Sequence, residues 1–382
     1  MALIAIYVDA YPFKLHRLFG EEFLKRFALA RIRPILGYTD CFKACLLTCK
    51  DPFSLGYWVF YKFRSQALRR RSLDLPLRLF DIPIIPFRVL RFAMSKIIYP
   101  VYNIPLCALG FLDFLDINPH MSLLEIHKTF KVKGFSTILS IFEDKGISYM
   151  TIEDRFFHHK ILKMMKVTYK RVKERRIDFA FIYIDEPDYW GHRYGVDSGR
   201  YHELMRALTL ILKDFISDCI KAGHNIIVFS DHGMASVRRY LDLMNRLLRD
   251  RSFCKSYVVG LDATMIRIKY LNERGFHESR WLAKLLNSYA HKLDEKDYEL
   301  YRLPRDESYG DEVWLLKEGV CIFPNYFSWL RPRGMHAYDP LLPSQEGILL
   351  MEKGIAEAVN VKEPIEPWIL GRLLLKATLG EV

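Results

Sequence analysis

Three apolar runs in this chain each end in residues able to hold a metal ion. Leu3–Val8 is followed by Asp9, and Asn225–Phe229 by Ser230-Asp231-His232-Gly233-Met234. Phe179–Ile184 leads into Asp185-Glu186-Pro187-Asp188-Tyr189-Trp190-Gly191-His192. Carboxylates and neutral imidazoles are first-choice ligands for zinc and similar divalent ions. In open α/β sheets such side chains gather at the carboxyl ends of strands. Each residue also has a plainer explanation. An aspartate after a strand often only caps the next helix, and an Asp-His pair alone means little. The strand ends taken together predict a metal site.

These motifs resemble the alkaline phosphatase superfamily, and within it the type I phosphodiesterase/nucleotide pyrophosphatase branch. The resemblance rests on Phe-Ile-Tyr-Ile-Asp-Glu-Pro-Asp-Tyr-Trp-Gly-His followed by Ser-Asp-His-Gly-Met. It implies a two-metal hydrolase with a threonine nucleophile. The family's nucleophile precedes a second threonine by nine residues, followed by Gly-x-x-Pro and His-Gly; here Thr39, Thr48, Pro52 and Gly56 take those places. By resemblance Thr39 is the nucleophile; its plainer reading is a helix N-cap with Asp40 in the first turn. A late Gly-x-His-Gly-Tyr-Asp segment is matched with one change by Gly334-Met335-His336-Ala337-Tyr338-Asp339. The implied ligands are Asp188, His192 and His336 for one ion, and Asp9, Asp231, His232 and Thr39 for the other. Zinc is the expected ion, with manganese or iron as the alternatives that availability decides.

That ligand set suits phosphoryl transfer. Two ions ~4 Å apart can clamp the attacking and leaving oxygens of an in-line displacement. A threonine hydroxyl needs activation at neutral pH, which an adjacent ion supplies, and a helix start at Thr39 favours a bound phosphate. The expected product of the first step is a phospho-threonine ester, which water then hydrolyses. Cys49 and Leu55 depart from the family's glycine and histidine at positions that ligate no metal. Phe60 stands where the family places a phosphate-binding asparagine, 21 residues after Thr39, so Tyr61 or Lys62 is the expected substitute. The loss weakens the expectation of nucleotide substrates more than that of phosphoryl chemistry.

Positioning these residues requires a sheet. The three runs, with 147–152, read as buried parallel strands, and 201–221 carries apolar residues at helical spacing (Leu204, Leu208, Leu212, Phe215, Cys219). The expected class is α/β: a mostly parallel central sheet flanked by helices, alkaline phosphatase-like, with an inserted cap and a small auxiliary α+β region. The catalytic core is expected over 1–58, 131–249 and 334–382. Residues 59–130 form the expected basic and apolar cap. The auxiliary region, 250–333, is expected to be continuous with the core, with a strand-like 256–270, a helix-like 278–293 and a hairpin-like 312–323.

Composition bounds the rest. The 382 residues are 51% hydrophobic and 27% charged, which excludes a disordered chain. Seven scattered cysteines do not resemble a disulfide framework and suggest a cytoplasmic protein. Cys41, Cys45 and Cys49, four apart, read as one buried helix face. The longest uncharged stretch, 97–112, is broken by Pro100 and Pro105 and falls short of the ~20 apolar residues that span a bilayer. The net charge of +12 is local: 53–112 carries 9 basic and 2 acidic residues and 160–176 carries 8 and 1, so the remainder sums to 12 − 14 = −2. Those stretches suit a small anionic phosphate ester, lipid-linked or not, and peripheral membrane contact, or they are solvated surface. Nucleic acid is not the expected partner, for want of recognition motifs. The competing readings are a phosphatase, sulfatase or phosphonate hydrolase of the same superfamily, and a non-catalytic lipid- or nucleic-acid-binding protein. No Pro-Ser-Arg-like run follows Thr39 as sulfatases require.

Overall fold

The computed structural model describes residues 1–59, 61–63, 115–117, 121–153, 161–174, 177–328 and 330–381. Most of the expected cap, and Phe60 with it, lies outside the described residues, as do Lys160, Arg175 and Arg176. The chain divides into two compact units, one of Met1–Leu55, Met121–Ser236 and Pro340–Val382, the other of Gly56–His120 and Val237–Asp339.

The first unit is built on six strands: β1 (Leu3–Val8), β2 (Phe27–Ile32), β3 (Tyr149–Glu153), β4 (Phe179–Ile184), β5 (Asn225–Phe229) and β6 (Gly347–Glu352). They lie in the order β2-β6-β5-β1-β4-β3. Strands β3, β4, β1 and β5 are mutually parallel, and β6 runs antiparallel to both β5 and β2. This is the mostly parallel sheet expected. Strands buried on both faces read as continuous apolar runs, and every residue of β1 and β4 is buried. Three helices matter to the site: α1 (Thr39–Thr48), α2 (Glu186–Tyr194) and α3 (Gly199–Lys221).

Helix α3 starts at Ser198, whose side chain caps Tyr201 N–H, and buries Tyr201, Met205, Leu208, Leu212, Phe215 and Cys219. That stripe packs with Ile4, Ile6, Val8, Ile226 and Val228 in one core. On β1, Tyr7 points into an aromatic group instead, with ring centroids 5.0 Å from Phe229 and 5.6 Å from Phe42 of α1. Burial of a Leu or Phe side chain is worth about 1.5–3 kcal/mol, so both layers hold the strand ends firmly.

Residues 121–130, read from the sequence as part of the cap, belong to this unit. They enter the helix Leu123–Val132 through a Ser122–Glu125 capping box, and Met121 N–H donates to Asp40 Oδ2 (2.8 Å).

The second unit holds an antiparallel sheet in the order Tyr257–Asp262, Met265–Tyr270, Glu312–Leu316, Ala290–Lys292. Its expected single strand at 256–270 is a hairpin, turned at Ala263 with φ 60°. The expected helix at 278–293 is shorter, Arg280–Leu286, and gives way to the strand Ala290–Lys292. Residues 312–323 do not form a hairpin. Glu312–Leu316 pairs with Met265–Tyr270 and Ala290–Lys292, while Val320–Ile322 pairs in parallel with Arg239–Leu241. The described ends of the expected cap, Tyr61–Phe63 and Leu115–Ile117, pair antiparallel. No helix among the described residues is long and apolar enough to cross a membrane.

Candidate metal centre

Neighbouring strand ends bring Asp9 and the Asp231-His232 pair together. Asp9 leaves β1 with its N–H on the Ile184 carbonyl at the end of β4 (2.8 Å). The next residue, Ala10, takes the left-handed region, and its N–H donates to Asp231 Oδ1 (3.2 Å). Ser230 Oγ ties the two turns together, accepting from Tyr11 N–H (2.8 Å) and donating to the His232 carbonyl (2.9 Å). Gly233 is required by close approach: a Cβ there would stand 2.2 Å from the Ser344 carbonyl oxygen.

Asp9, Asp231 and His232 are all buried. His232 Nε2 lies 3.4 Å from Asp9 Oδ1 and 3.3 Å from Asp231 Oδ2. In the neutral ring, Nδ1 must carry the proton, because its partner at 2.8 Å is the Gly233 carbonyl, which only accepts. Nε2 then presents a lone pair toward two carboxylate oxygens. Neither Asp9 Oδ1 nor Asp231 Oδ2 has a hydrogen-bond donor among the described residues. Tetrahedral ligands at bond lengths of ~2.0–2.1 Å are spaced ~3.3–3.4 Å apart, which is the spacing seen. The donors therefore fit a divalent ion. Burial, then the facing charges of Asp231 and Asp188, pushes the Asp9 carboxyl well above its ordinary range, while Tyr183 and Lys43 pull it back. A cation among these carboxylates removes the repulsion.

Thr39 is the first residue of α1 and not its cap; that position is Tyr38, which makes no side-chain capping bond. The Thr39 hydroxyl instead donates to Asp9 Oδ2 (3.5 Å). It stands at the positive end of the helix dipole, where phosphate is favoured. Thr48, the second threonine, back-bonds to the Ala44 carbonyl (2.7 Å).

Asp188 and His192 are four apart on α2 and so share a face; His192 Nε2 is 3.2 Å from Asp188 Oδ1. Asp185, outside α2, takes the N-cap position, and Pro187 sits in the first turn. His336 belongs to the second unit, buried just after the strand Gly334–Met335. The Ala337 carbonyl beside it accepts from Thr264 Oγ1 (2.8 Å), and Asp339 accepts from Tyr301 (3.0 Å).

The two substitutes expected for the asparagine also lie in the second unit. Tyr61 is buried against Tyr326 and Phe327, with ring centroids at 4.9 and 5.7 Å. Lys62 Nζ donates to the Gly56 carbonyl (3.3 Å) and lies over the Tyr309 ring. Cys41 and Cys45 are buried in α1, and burial raises the Cys45 thiol. Cys49 instead occupies the left-handed C-cap.

Two residues beside the centre were not singled out from the sequence. Tyr183 Oη donates to Asp9 Oδ2 at 2.5 Å. Lys43 is fully buried, 3.8 Å from the Tyr183 ring centroid and 3.5 Å from Glu153 Oε1. One signal was present for Lys43, four residues past Thr39: a lysine inside the otherwise uncharged Cys41–Cys49 helix face.

Comparisons with known proteins agree on a single family. A family model described as type I phosphodiesterase / nucleotide pyrophosphatase matches residues 94–324, which include Asp188, His192, Asp231 and His232. The venom phosphodiesterase of Naja atra is 27% identical over 222 residues, 53% of this chain and 26% of that protein. Ectonucleotide pyrophosphatase/phosphodiesterase family member 3 of Bos taurus is 27% identical over 235 residues, 57% of this chain and 25% of that protein. The aligned part thus spans about a quarter of these curated relatives. Among solved structures, murine ectonucleotide pyrophosphatase / phosphodiesterase 5 superposes with a TM-score of 0.65 at 16% identity, over 99% of this chain and 95% of that one. At that identity the likeness shows the fold.

Proposed function

Because the chain belongs to the type I phosphodiesterase / nucleotide pyrophosphatase family, we propose that it is a metal-dependent hydrolase of phosphate esters acting through Thr39. Asp9, Asp231 and His232, beside Thr39, would hold one divalent ion; Asp188 and His192 would contribute donors to a second. Two carboxylates and an imidazole at this spacing are zinc-type donors, with manganese and iron as the alternatives. Bound there, the ions supply Lewis-acid stabilisation of the charge on the transferring phosphoryl group.

The chain's own residues do the rest. The Thr39 hydroxyl is held by Asp9 Oδ2, which is in place to take its proton as Oγ1 bonds to phosphorus. The bond from phosphorus to the leaving alcohol breaks in that step. Water then cleaves the phospho-threonine ester and returns Thr39. The α1 dipole favours the anionic group at Oγ1 throughout. One observation carries this reading: Asp9 turns one oxygen to His232 while the other takes the hydroxyl of Thr39. Nucleotide esters are the first natural class to try, since an inactive form of murine ectonucleotide pyrophosphatase / phosphodiesterase 5 is in complex with AMP.

The test is hydrolysis of bis-p-nitrophenyl phosphate and of a nucleoside 5′-monophosphate p-nitrophenyl ester, with and without chelator. Turnover is expected to vanish with chelator and return with zinc. Thr39→Ala is expected to lower kcat by roughly 10³-fold or more with metal content unchanged. Full activity in that variant, or indifference to chelator, would sink the proposal.

A further inference from the structure

Lys43 carries a charge where burial makes one unfavourable. It lies on α1 one turn beyond Thr39, with no exposed surface and no hydrogen-bond acceptor among the described residues. Its ion-pair partner, Glu153, is 3.5 Å away, and the other Glu153 oxygen is engaged by Leu123 N–H (3.0 Å). A buried pair of that geometry stabilises less than apolar side chains of similar volume. Packing alone does not account for an ammonium at this position.

Its surroundings give the charge a role. Glu153 and Tyr183 are register partners on β3 and β4. The Lys43 ammonium stands 3.8 Å from the centre of the Tyr183 ring, and Tyr183 Oη donates to Asp9 Oδ2 at 2.5 Å. A cation on a phenol ring is attracted to its electron-rich face and draws density from the ring, which strengthens the O–H as a donor. A carboxylate held through one oxygen presents the other in a fixed direction. Groups that orient ligands in this way typically govern metal affinity. With Oδ2 engaged by Tyr183 and Thr39, Oδ1 is the oxygen turned to His232.

We infer that Tyr183, with Lys43 behind it, is a positioning pair for the metal centre. The phenol fixes the Asp9 carboxylate, and the buried ammonium strengthens that hold. This rests on the metal-centre reading above. Both residues act through Asp9.

The test uses the full chain, stripped with chelator and titrated with zinc(II) against a chromophoric competitor. Tyr183→Phe keeps the ring and its volume, so the fold is retained. Its zinc affinity at the Asp9-dependent site is expected to fall about 10–100-fold. Removing both buried charges together, Lys43→Met with Glu153→Gln, avoids leaving either one uncompensated and is expected to weaken zinc binding several-fold. Combining all three substitutions is expected to bind zinc no more weakly than Tyr183→Phe alone, because Lys43 acts through the phenol. A merely structural role predicts losses that add. Wild-type zinc affinity in Tyr183→Phe, or additive losses in the combination, overturns the inference. Asp9→Asn separates the two levels: if it binds zinc as the wild type does, the metal-centre reading itself fails.

Discussion

Asp231 divides its two oxygens as Asp9 does, and this allows a clean substitution. Oδ1 accepts from Ala10 N–H, while Oδ2 faces His232 Nε2. Asparagine can keep the first bond through its carbonyl oxygen while replacing the anionic Oδ2 by a neutral amide. Asp231→Asn is therefore expected to lower zinc affinity by at least about tenfold. In the stripped protein it should leave thermal stability unchanged or raise it, since one of two buried facing carboxylates has lost its charge. Zinc competition and thermal unfolding in chelator measure the two effects. A loss of stability in chelator as large as the loss in affinity would mean that Asp231 serves mainly to hold its turn.

At the scale of elements, the site depends on turns that permit close approach. Gly233 accepts His232 Nδ1–H through its carbonyl and donates its own N–H to the Gln345 carbonyl (2.7 Å). A methyl at this position meets backbone, which cannot rotate away as a side chain would. Gly233→Ala is expected to cost about 1–3 kcal/mol, read by denaturant unfolding, and to weaken zinc binding as His232 loses its orientation. Wild-type stability would show that the 344–346 segment yields freely.

The same scale shows what the sequence could reveal. Strands β1, β4 and β5 were legible to the residue because burial on both faces leaves an unbroken apolar run. Asp9, Asp231 and His232 were legible because they stand within three residues of those strand ends. Strands β2 and β6 were not. Phe-Ala-Leu-Ala-Arg-Ile is rich in alanine and leucine, and Gly-Ile-Leu-Leu-Met-Glu runs without a break into the helix Lys353–Val359. Both were assigned to the sheet by tertiary pairing rather than by propensity. The 312–323 hairpin failed for a similar reason, since strand partners distant in sequence outcompeted the adjacent segment. Tyr183 stayed hidden, and Lys43 showed only as a lone lysine in an uncharged helix, because the contact between α1 and β4 is encoded by no local pattern.

For the whole molecule, the proposed centre is expected to make stability depend on pH with opposite signs in the stripped and loaded protein. Without metal, burial and the charges of Asp231 and Asp188 raise the folded-state pKa of Asp9, above an unfolded value of about 3.9. The folded chain then binds a proton that the unfolded chain has released. The stability from this proton is fully present below about pH 3.9 and is lost as pH rises through the folded value. Zinc reverses the sign, because its ligands must be deprotonated to bind it. Zinc at about 1,000 times its dissociation constant adds ~4 kcal/mol, or about 5 °C in Tm for a chain of this size. Carboxyls held low by surface partners, such as Glu143 with Lys131, act alike in both forms and cancel from the difference. The Tm gap between zinc-loaded and chelated protein is thus expected to widen steadily from pH 5 to pH 8. In chelator, Asp9→Asn should stabilise the protein most at the upper end of that range. Thermal scans at several pH values, with and without zinc, measure both. A gap that stays constant with pH would mean that Asp9 is not ionised by metal binding, and would remove it from the centre.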